Sequence, residues 1–399
     1  MRKNIIFIYP NSFPISGSAT NRLISLCKGL LESNNLVEVI INRPTEKKVS
    51  NRFNFNNKGT YQGINFEYAT KNMIWPASKL LKILWAIKGL VLTLIKVYNK
   101  DKTKKIDVII SAATYGMVEN CLYLFISRII KAKFLYTVDE YPWVLINKER
   151  YHIIYRWFYL SYFYRIFDGF IVMTTKLMDF YKGKAKEKAL FVHIPMSVEM
   201  DRFDLSVEND KSNYIAYCGG DFKGTKDGVD ILIKSFNDIK NKHPYIFLYI
   251  IGNIHSSIIE LVKFYNLENR VKFIGYLERD LVPDYLLKAK ALCLARPNTL
   301  QTQGGFPTKV GEYLATGKPV ILTKVGEIEH YLKNGVSAYI SEPGDAKAFG
   351  KKIDEVLSNY EEAIQVGKKG KIVANYYFNY RSQGKILNSF LNSVIGFSN

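Results

Sequence analysis

The chain has 399 residues, of which 48% are hydrophobic and 23% charged; that is room for two ordinary globular domains and excludes a disordered or collagen-like polymer. Its four cysteines (Cys27, Cys121, Cys218, Cys293) and five histidines are dispersed, so neither a disulfide scaffold nor a metal centre is expected, and the thiols read as reduced and buried in a cytoplasmic protein. The net charge of +20 is uneven: residues 1–200 hold 30 Lys+Arg against 14 Asp+Glu, a net of +16, which points to an anionic partner for that half.

Met1-Arg2-Lys3-Asn4 precedes an apolar run, Ile5 to Tyr9, that is too short for a signal peptide and reads as a first strand. No run approaches the ~18 apolar residues of a membrane span. A loop rich in Pro, Ser and Gly follows, then a helix from Ala19 to Ser33 with Leu23, Leu26, Cys27, Leu30 and Leu31 on one side, and a strand from Val37 to Asn42. This is a Rossmann-like unit whose loop lacks Gly-x-Gly-x-x-Gly, which argues against a dinucleotide oxidoreductase. Only Gly17-Ser18 remains as a turn that could approach a phosphate; the alternative is an ordinary βα turn.

Residues 76–100 are expected to form a long helix with Lys82, Lys96 and Lys100 on one side. Such a basic amphipathic helix suits an anionic membrane surface. The alternative is a helix packed on the sheet with its lysines in water. Two further strands are expected, at 107–111 and 134–138. The second runs into Asp139-Glu140-Tyr141-Pro142, and carboxylates at the C-terminal end of a parallel strand stand where such sheets bind ligands. Asp139 is thus a candidate catalytic or acceptor-orienting group, or else a strand-end turn residue. Residues 147–167 crowd tyrosines, phenylalanines and Trp157 among Arg150, Arg156 and Arg165, a pattern open to nucleic acid, to a membrane interface, or to a core helix.

Polar residues 201–213 read as a linker. A second Rossmann-like unit begins with a strand from Tyr214 to Cys218 and the loop Gly219 to Gly228, which carries Lys223 and Lys226. Near its end comes Gly304-Gly305-Phe306-Pro307-Thr308-Lys309-Val310-Gly311-Glu312-Tyr313-Leu314-Ala315-Thr316-Gly317-Lys318-Pro319-Val320. It reads as loop, short helix capped by Thr308, turn at Gly317, and strand. A helix N-terminus suits a phosphate, Lys309 adds a charge there, and Glu312 is placed to accept hydrogen bonds from hydroxyls such as those of a ribose.

That stretch resembles the donor-binding signature of the retaining, two-Rossmann-domain glycosyltransferases often called family 4, in the subgroup reading Pro-Ser/Thr-Lys-x-x-Glu-Tyr-Leu-Ala. Glu312 matches the second Glu of the family's Glu-x7-Glu, while Gly304 stands where the first would be. Lys226 matches the Lys of Gly-Arg-x4-Lys-Gly with the intervening loop a residue or two longer, and Gly220 stands where the Arg would be. Val271 to Tyr276 resembles the element that borders the nucleotide base, Ile194 to Glu199 the link between domains, and Asp139 the family's Asp-x-Trp/Tyr-Pro.

The resemblance implies an α/β fold of two Rossmann-like domains facing across a cleft (GT-B). Residues 1–200 would form the acceptor domain, with a C-terminal helix 375–399 crossing back to it, and residues 201–374 the donor domain. It implies a hexosyltransferase-type enzyme that moves sugar with retention from a nucleotide sugar to an acceptor, without metal or cofactor beyond the donor; the basic, aromatic N-terminal half points to a lipid-linked or growing surface polysaccharide as that acceptor. Asp139 and Lys226 would be catalytic. Gly17, Ser18, Lys223, Lys226, Tyr276, Thr308, Lys309 and Glu312 would bind donor. The expected setting is the cytoplasm, peripheral on the inner membrane face, with no nucleic acid. Two other readings stay open: an epimerase or hydrolase on the same fold, and a basic nucleic-acid-binding protein.

Overall fold

The structure is a computed structural model that describes residues 2–47, 54–145, 153–205, 212–220 and 226–396. It divides into two compact units, Met1–Ser197 with Tyr380–Asn399, and Val198–Asn379.

The first unit is built on an eight-stranded sheet. Its strands are β1 (Asn4–Tyr9), β2 (Leu36–Ile41), β3 (Lys58–Tyr61), β4 (Ile64–Tyr68), β5 (Val108–Ser111), β6 (Lys133–Val138), β7 (Gly169–Val172) and β8 (Leu190–His193), in the order β3-β4-β2-β1-β5-β6-β7-β8. All neighbours are parallel except β3 and β4. Ile5, Phe7 and Tyr9 of β1 are buried at the centre, as a strand covered on both faces requires. Helix α1 (Ser18–Glu32) buries Leu23, Leu26, Cys27 and Leu30 against this sheet. The order reverses at β1, between β2 and β5, and the C-terminal ends of these strands are where an open α/β sheet binds ligands.

The helix expected at 76–100 spans Lys79–Thr103 (α2), and its faces are the reverse of those expected. Lys96 Nζ lies 2.7 Å from Glu67, and Lys100 Nζ lies 2.9 Å from Glu38 and 3.0 Å from Glu67. These two lysines therefore turn toward β2 and β4. Burial works against the Glu67 anion, but Lys96 and Lys100 outweigh it and hold that carboxyl below its ordinary value. The helix meets the sheet through Gly89, Thr93 and Val97. A Cβ on Gly89 would stand 2.1 Å from the carbonyl oxygen of Asn42, so only glycine permits this approach.

After α2 come α3 (Met117–Ile129) and the helix Ile153–Ser161. Within the aromatic stretch, Tyr159, Phe163 and Tyr164 are buried beside Tyr136 and Phe167, whereas Ile153, Ile154 and Trp157 are exposed. Arg150 and Tyr151 lie outside the described residues.

The second unit carries β9 (Tyr214–Cys218), β10 (Phe247–Ile251), β11 (Val271–Gly275), β12 (Ala291–Leu294), β13 (Val320–Thr323) and β14 (Tyr339–Ser341), an all-parallel sheet ordered β11-β10-β9-β12-β13-β14. Its order reverses between β9 and β12. The region 201–213 is not simply linker: Met200–Phe203 is a 3-10 turn with Phe203 buried. The C-terminal helix begins at Tyr380 rather than 375, because Tyr360–Tyr377 is one helix that breaks at Phe378 and Asn379. The segment Tyr380–Gly396 then packs on the first unit, with Leu387, Phe390 and Leu391 in the same core as α1.

Candidate functional site

In the second unit the sequence folds two distant segments onto the end of β9. Helix Lys309–Ala315 is pinned there by Tyr313, whose hydroxyl accepts from the Cys218 N–H at 2.7 Å and donates to its carbonyl oxygen at 3.3 Å. The loop after Cys218 brings in Asp227, just before the helix Val229–Ile239. Asp227 is buried, and both of its oxygens face cations. Lys309 Nζ and the Tyr217 hydroxyl donate to Oδ2 at 2.6 and 2.8 Å, and Arg296 Nε lies 3.3 Å from Oδ1. Burial alone would raise the Asp227 carboxyl, but Lys309 and Arg296 hold it below the ordinary value of 3.8. One carboxylate thus holds two cations, Lys309 and Arg296, at this end of the sheet.

Lys309 lies across Gly219. A Cβ there would meet Lys309 Cε at 1.9 Å and Nζ at 2.6 Å, so glycine at the end of β9 is what lets the lysine cross.

Glu312, on the same helix, accepts from Arg202 NH1 at 2.9 Å. Arg202 in turn donates to the carbonyl oxygen of Arg279, and Arg279 pairs with buried Glu199. Burial first, then Glu312, pushes the Cys218 thiol up to about 12, so that thiol carries no nucleophilic chemistry near neutrality.

Thr308 holds the position before the helix but does not cap it with its side chain. Val310 N–H already bonds to Pro307 O, and Thr308 has helical angles (φ −58°, ψ −28°), not the extended backbone a capping hydroxyl needs. The residues before it, Leu300–Gly304, form a short helix closed by reciprocal Thr299 and Thr302 bonds. Lys226 is exposed beside Asp227. Tyr276 stands just past β11, two strands from β9, and is 46% exposed. Lys223 lies outside the described residues.

In the first unit, Gly17 and Ser18 open α1 and line a cavity of about 480 Å³ with Tyr9, Asn11, Arg43 and Thr45. A Cβ on Gly17 would meet nothing within 4 Å, so the glycine leaves open space instead of relieving a clash. A crevice of about 10 Å³, room for no more than one water, shares Tyr9 and Ala19 with this cavity and borders Asp139. Asp139, at the end of β6, accepts from Arg22 Nε at 2.9 Å. Arg22 is almost fully buried and also donates to the carbonyl oxygens of Ile194 and Pro195, at 2.7 and 2.6 Å.

The structure thus gathers Lys309 and Glu312 on one short helix with Thr308 just before it, and brings in Asp227, Arg296 and Arg202 as partners the sequence reading missed. Gly17, Ser18 and Asp139 gather separately in the first unit, around Arg22. Arg22 did leave a signal, a lone arginine beside Leu23 and Leu26 on the buried side of α1.

Residues 201–373 match the family model described as glycosyl transferases group 1. Among curated proteins, the N-acetyl-alpha-D-glucosaminyl L-malate synthase of Bacillus anthracis is 28% identical over 134 residues, 34% of this chain and 32% of that protein. The aligned stretch thus spans about a third of that relative's length. Over the whole chain, the sucrose-phosphate synthase of Thermosynechococcus elongatus superposes with a TM-score of 0.74 at 16% identity, covering 100% of both chains. Anabaena Alr3699/HepE, solved in complex with UDP and glucose, superposes with a TM-score of 0.72 at 14% identity, covering 98% of this chain and 100% of that one. At these identities the likeness speaks to fold. The chain is therefore a GT-B protein by fold, two Rossmann-like α/β units, and its second unit carries the match to the group 1 glycosyl transferases.

Proposed function

We propose that the chain is a glycosyltransferase that moves a hexosyl group from a nucleotide sugar to a lipid-linked or growing polysaccharide acceptor, with retention at the anomeric carbon and in the cytoplasm. The observation that carries this reading is the coincidence of the family match at 201–373 with the positive cluster at the ends of β9 and β12. The transition state has oxocarbenium character, as in glycoside hydrolysis, while the departing diphosphate gathers negative charge. Lys309, Lys226 and the N-terminal amides of Lys309–Ala315 supply positive potential where that charge develops, with no metal required. Asp227 holds Lys309 ready, and Arg202 fixes Glu312 for the ribose hydroxyls. The UDP and glucose bound by Alr3699/HepE favour a uridine donor here.

Glu312→Ala removes the charged acceptor. Losing a hydrogen bond to a charged group costs about 1.5–3 kcal/mol, so calorimetry should show donor affinity falling at least ~tenfold. Affinity equal to wild type takes Glu312 out of the donor site.

The reading itself is tested by thermal unfolding against a panel of nucleotide sugars, because a ligand that binds only the native state raises its stability. UDP-sugars are expected to raise Tm. No shift with any nucleoside diphosphate sugar overturns the proposal. An epimerase or hydrolase would instead turn over the donor with no acceptor present.

A further inference from the structure

Helix α2 leaves an apolar stripe in solvent. Leu80, Leu84, Ile87, Val91, Ile95 and Tyr98 recur at helical spacing and are 40–66% exposed. They lie opposite Gly89, Thr93 and Val97, the face packed on the sheet. Every residue from Lys79 to Leu84 is exposed, so the first turns of α2 overhang the sheet. The same character continues on α3, a neighbour of α2, where Val118, Phe125 and Ile129 are exposed. Exposed apolar surface of this extent marks an interaction site.

The charges around the stripe narrow the partner. Helix α2 carries six lysines and one aspartate. Lys96 and Lys100 are taken up by Glu38 and Glu67, which leaves Lys79, Lys82, Lys88 and Lys102 exposed. Lys88 and Lys102 lie over the rings of Trp85 and Tyr98, as long basic side chains do when they cover apolar surface and keep the charge in water. Protein–protein interfaces are depleted in lysine, whereas a membrane-surface helix pairs an apolar face with lysines and with aromatic rings at its edge.

We infer that the exposed face of α2, extended by α3, docks on an anionic lipid surface, with the apolar stripe entering the headgroup boundary and the lysines meeting phosphates. Contact therefore depends on apolar burial first and charge second, the opposite weighting to a lysine face resting on headgroups. No helix among the described residues is long and apolar enough to cross a membrane, so the contact is peripheral. The inference stands on α2 and α3 alone and does not require the transferase reading.

The test is co-sedimentation with vesicles of equal parts phosphatidylglycerol and phosphatidylcholine, across a salt series. Two triple variants are compared: Leu84→Ser/Ile87→Ser/Val91→Ser, and Lys79→Gln/Lys82→Gln/Lys88→Gln. All six side chains are exposed, so Tm should match wild type for both. Wild type should pellet at low salt and keep part of its binding at high salt, where charge is screened. The apolar variant should lose about tenfold or more in affinity at every salt concentration. The lysine variant should lose binding only at low salt. Three results overturn the inference: wild type stays in the supernatant; the apolar variant binds like wild type; or light scattering shows a wild-type dimer that the apolar variant converts to monomer, which assigns the stripe to a second copy.

Discussion

Asp139→Asn is expected to lower transfer to acceptor at least ~hundredfold, the low end for losing acid–base help from a positioned carboxylate. Asp139 stands just past the C-terminal end of β6, beside Tyr9, Ala19 and Thr137. Its charge is balanced by Arg22, which is itself fixed by two carbonyl oxygens. Asp139 is 22% exposed and Arg22 keeps two carbonyl acceptors and an amide oxygen near Nε, so the fold should lose only about 1–2 kcal/mol. Under the proposed function donor binding should largely survive, because Lys226, Lys309 and Glu312, the charged residues proposed for the donor, belong to the second unit. The measurement is kcat and KM for acceptor alongside Tm. Near-normal kcat with a small drop in Tm reduces Asp139 to a counter-ion for Arg22.

Asp227→Asn is expected to destabilise the second unit by about 3–5 kcal/mol, the range for removing one partner from a buried ion pair. Only 3% of the Asp227 side chain is exposed, against 6% for Arg296 and 20% for Lys309. Without the carboxylate, two cations face each other with little water between them. For a unit of this size each kcal/mol shifts Tm by ~2–4 °C, so a fall of about 10 °C should be seen. The pH dependence fixes the cause. Asp227 has its carboxyl lowered in the fold, so its stabilisation is complete above the unfolded value of 3.8 and is lost as pH falls through the folded one. In urea melts, the gap between wild type and variant should stay constant from neutral pH down to about 5 and close below about 4. A gap under about 1 kcal/mol, or one that persists undiminished at the acid end, would show that Asp227 is not the anchor of Lys309 and Arg296.

What was legible in the sequence is what local chemistry decides. The short apolar run Ile5 to Tyr9, followed by Pro10, reads as a buried strand, and the stripe Leu23, Leu26, Cys27 and Leu30 reads as the face packed on it. Lys309–Ala315, the left-handed Gly317 and β13 fall where glycine and apolar runs put them. Long-range partners were not legible. Asp227 sits in a charged loop next to Lys226, and nothing nearby marks it out from a solvated acid; its lysine is 82 residues away. Arg22 and Asp139 are 117 residues apart.

Helix α2 shows a second kind of gap. A helical wheel sorts side chains into faces without saying which face meets the sheet. Here Gly89 and Thr93 allow a close approach to Asn42 and Thr70, and Glu38 and Glu67 draw two lysines inward. Small residues and half-buried carboxylates outweighed the larger apolar stripe on the other side. Thr308 fails as a cap for a related reason: the turn through Pro307 fixes its backbone before its hydroxyl can act.

The central claim is sugar transfer, and the most direct measurement is an acceptor-dependent one. The protein is incubated with UDP-sugars and a lipid or polysaccharide extract, UDP release is followed, and the products are resolved by mass spectrometry. The account predicts UDP release that rises with acceptor, a hexose newly bonded to that acceptor, and loss of both in Asp139→Asn. UDP or epimerised donor formed equally fast without acceptor, and no sugar on any product, would contradict it.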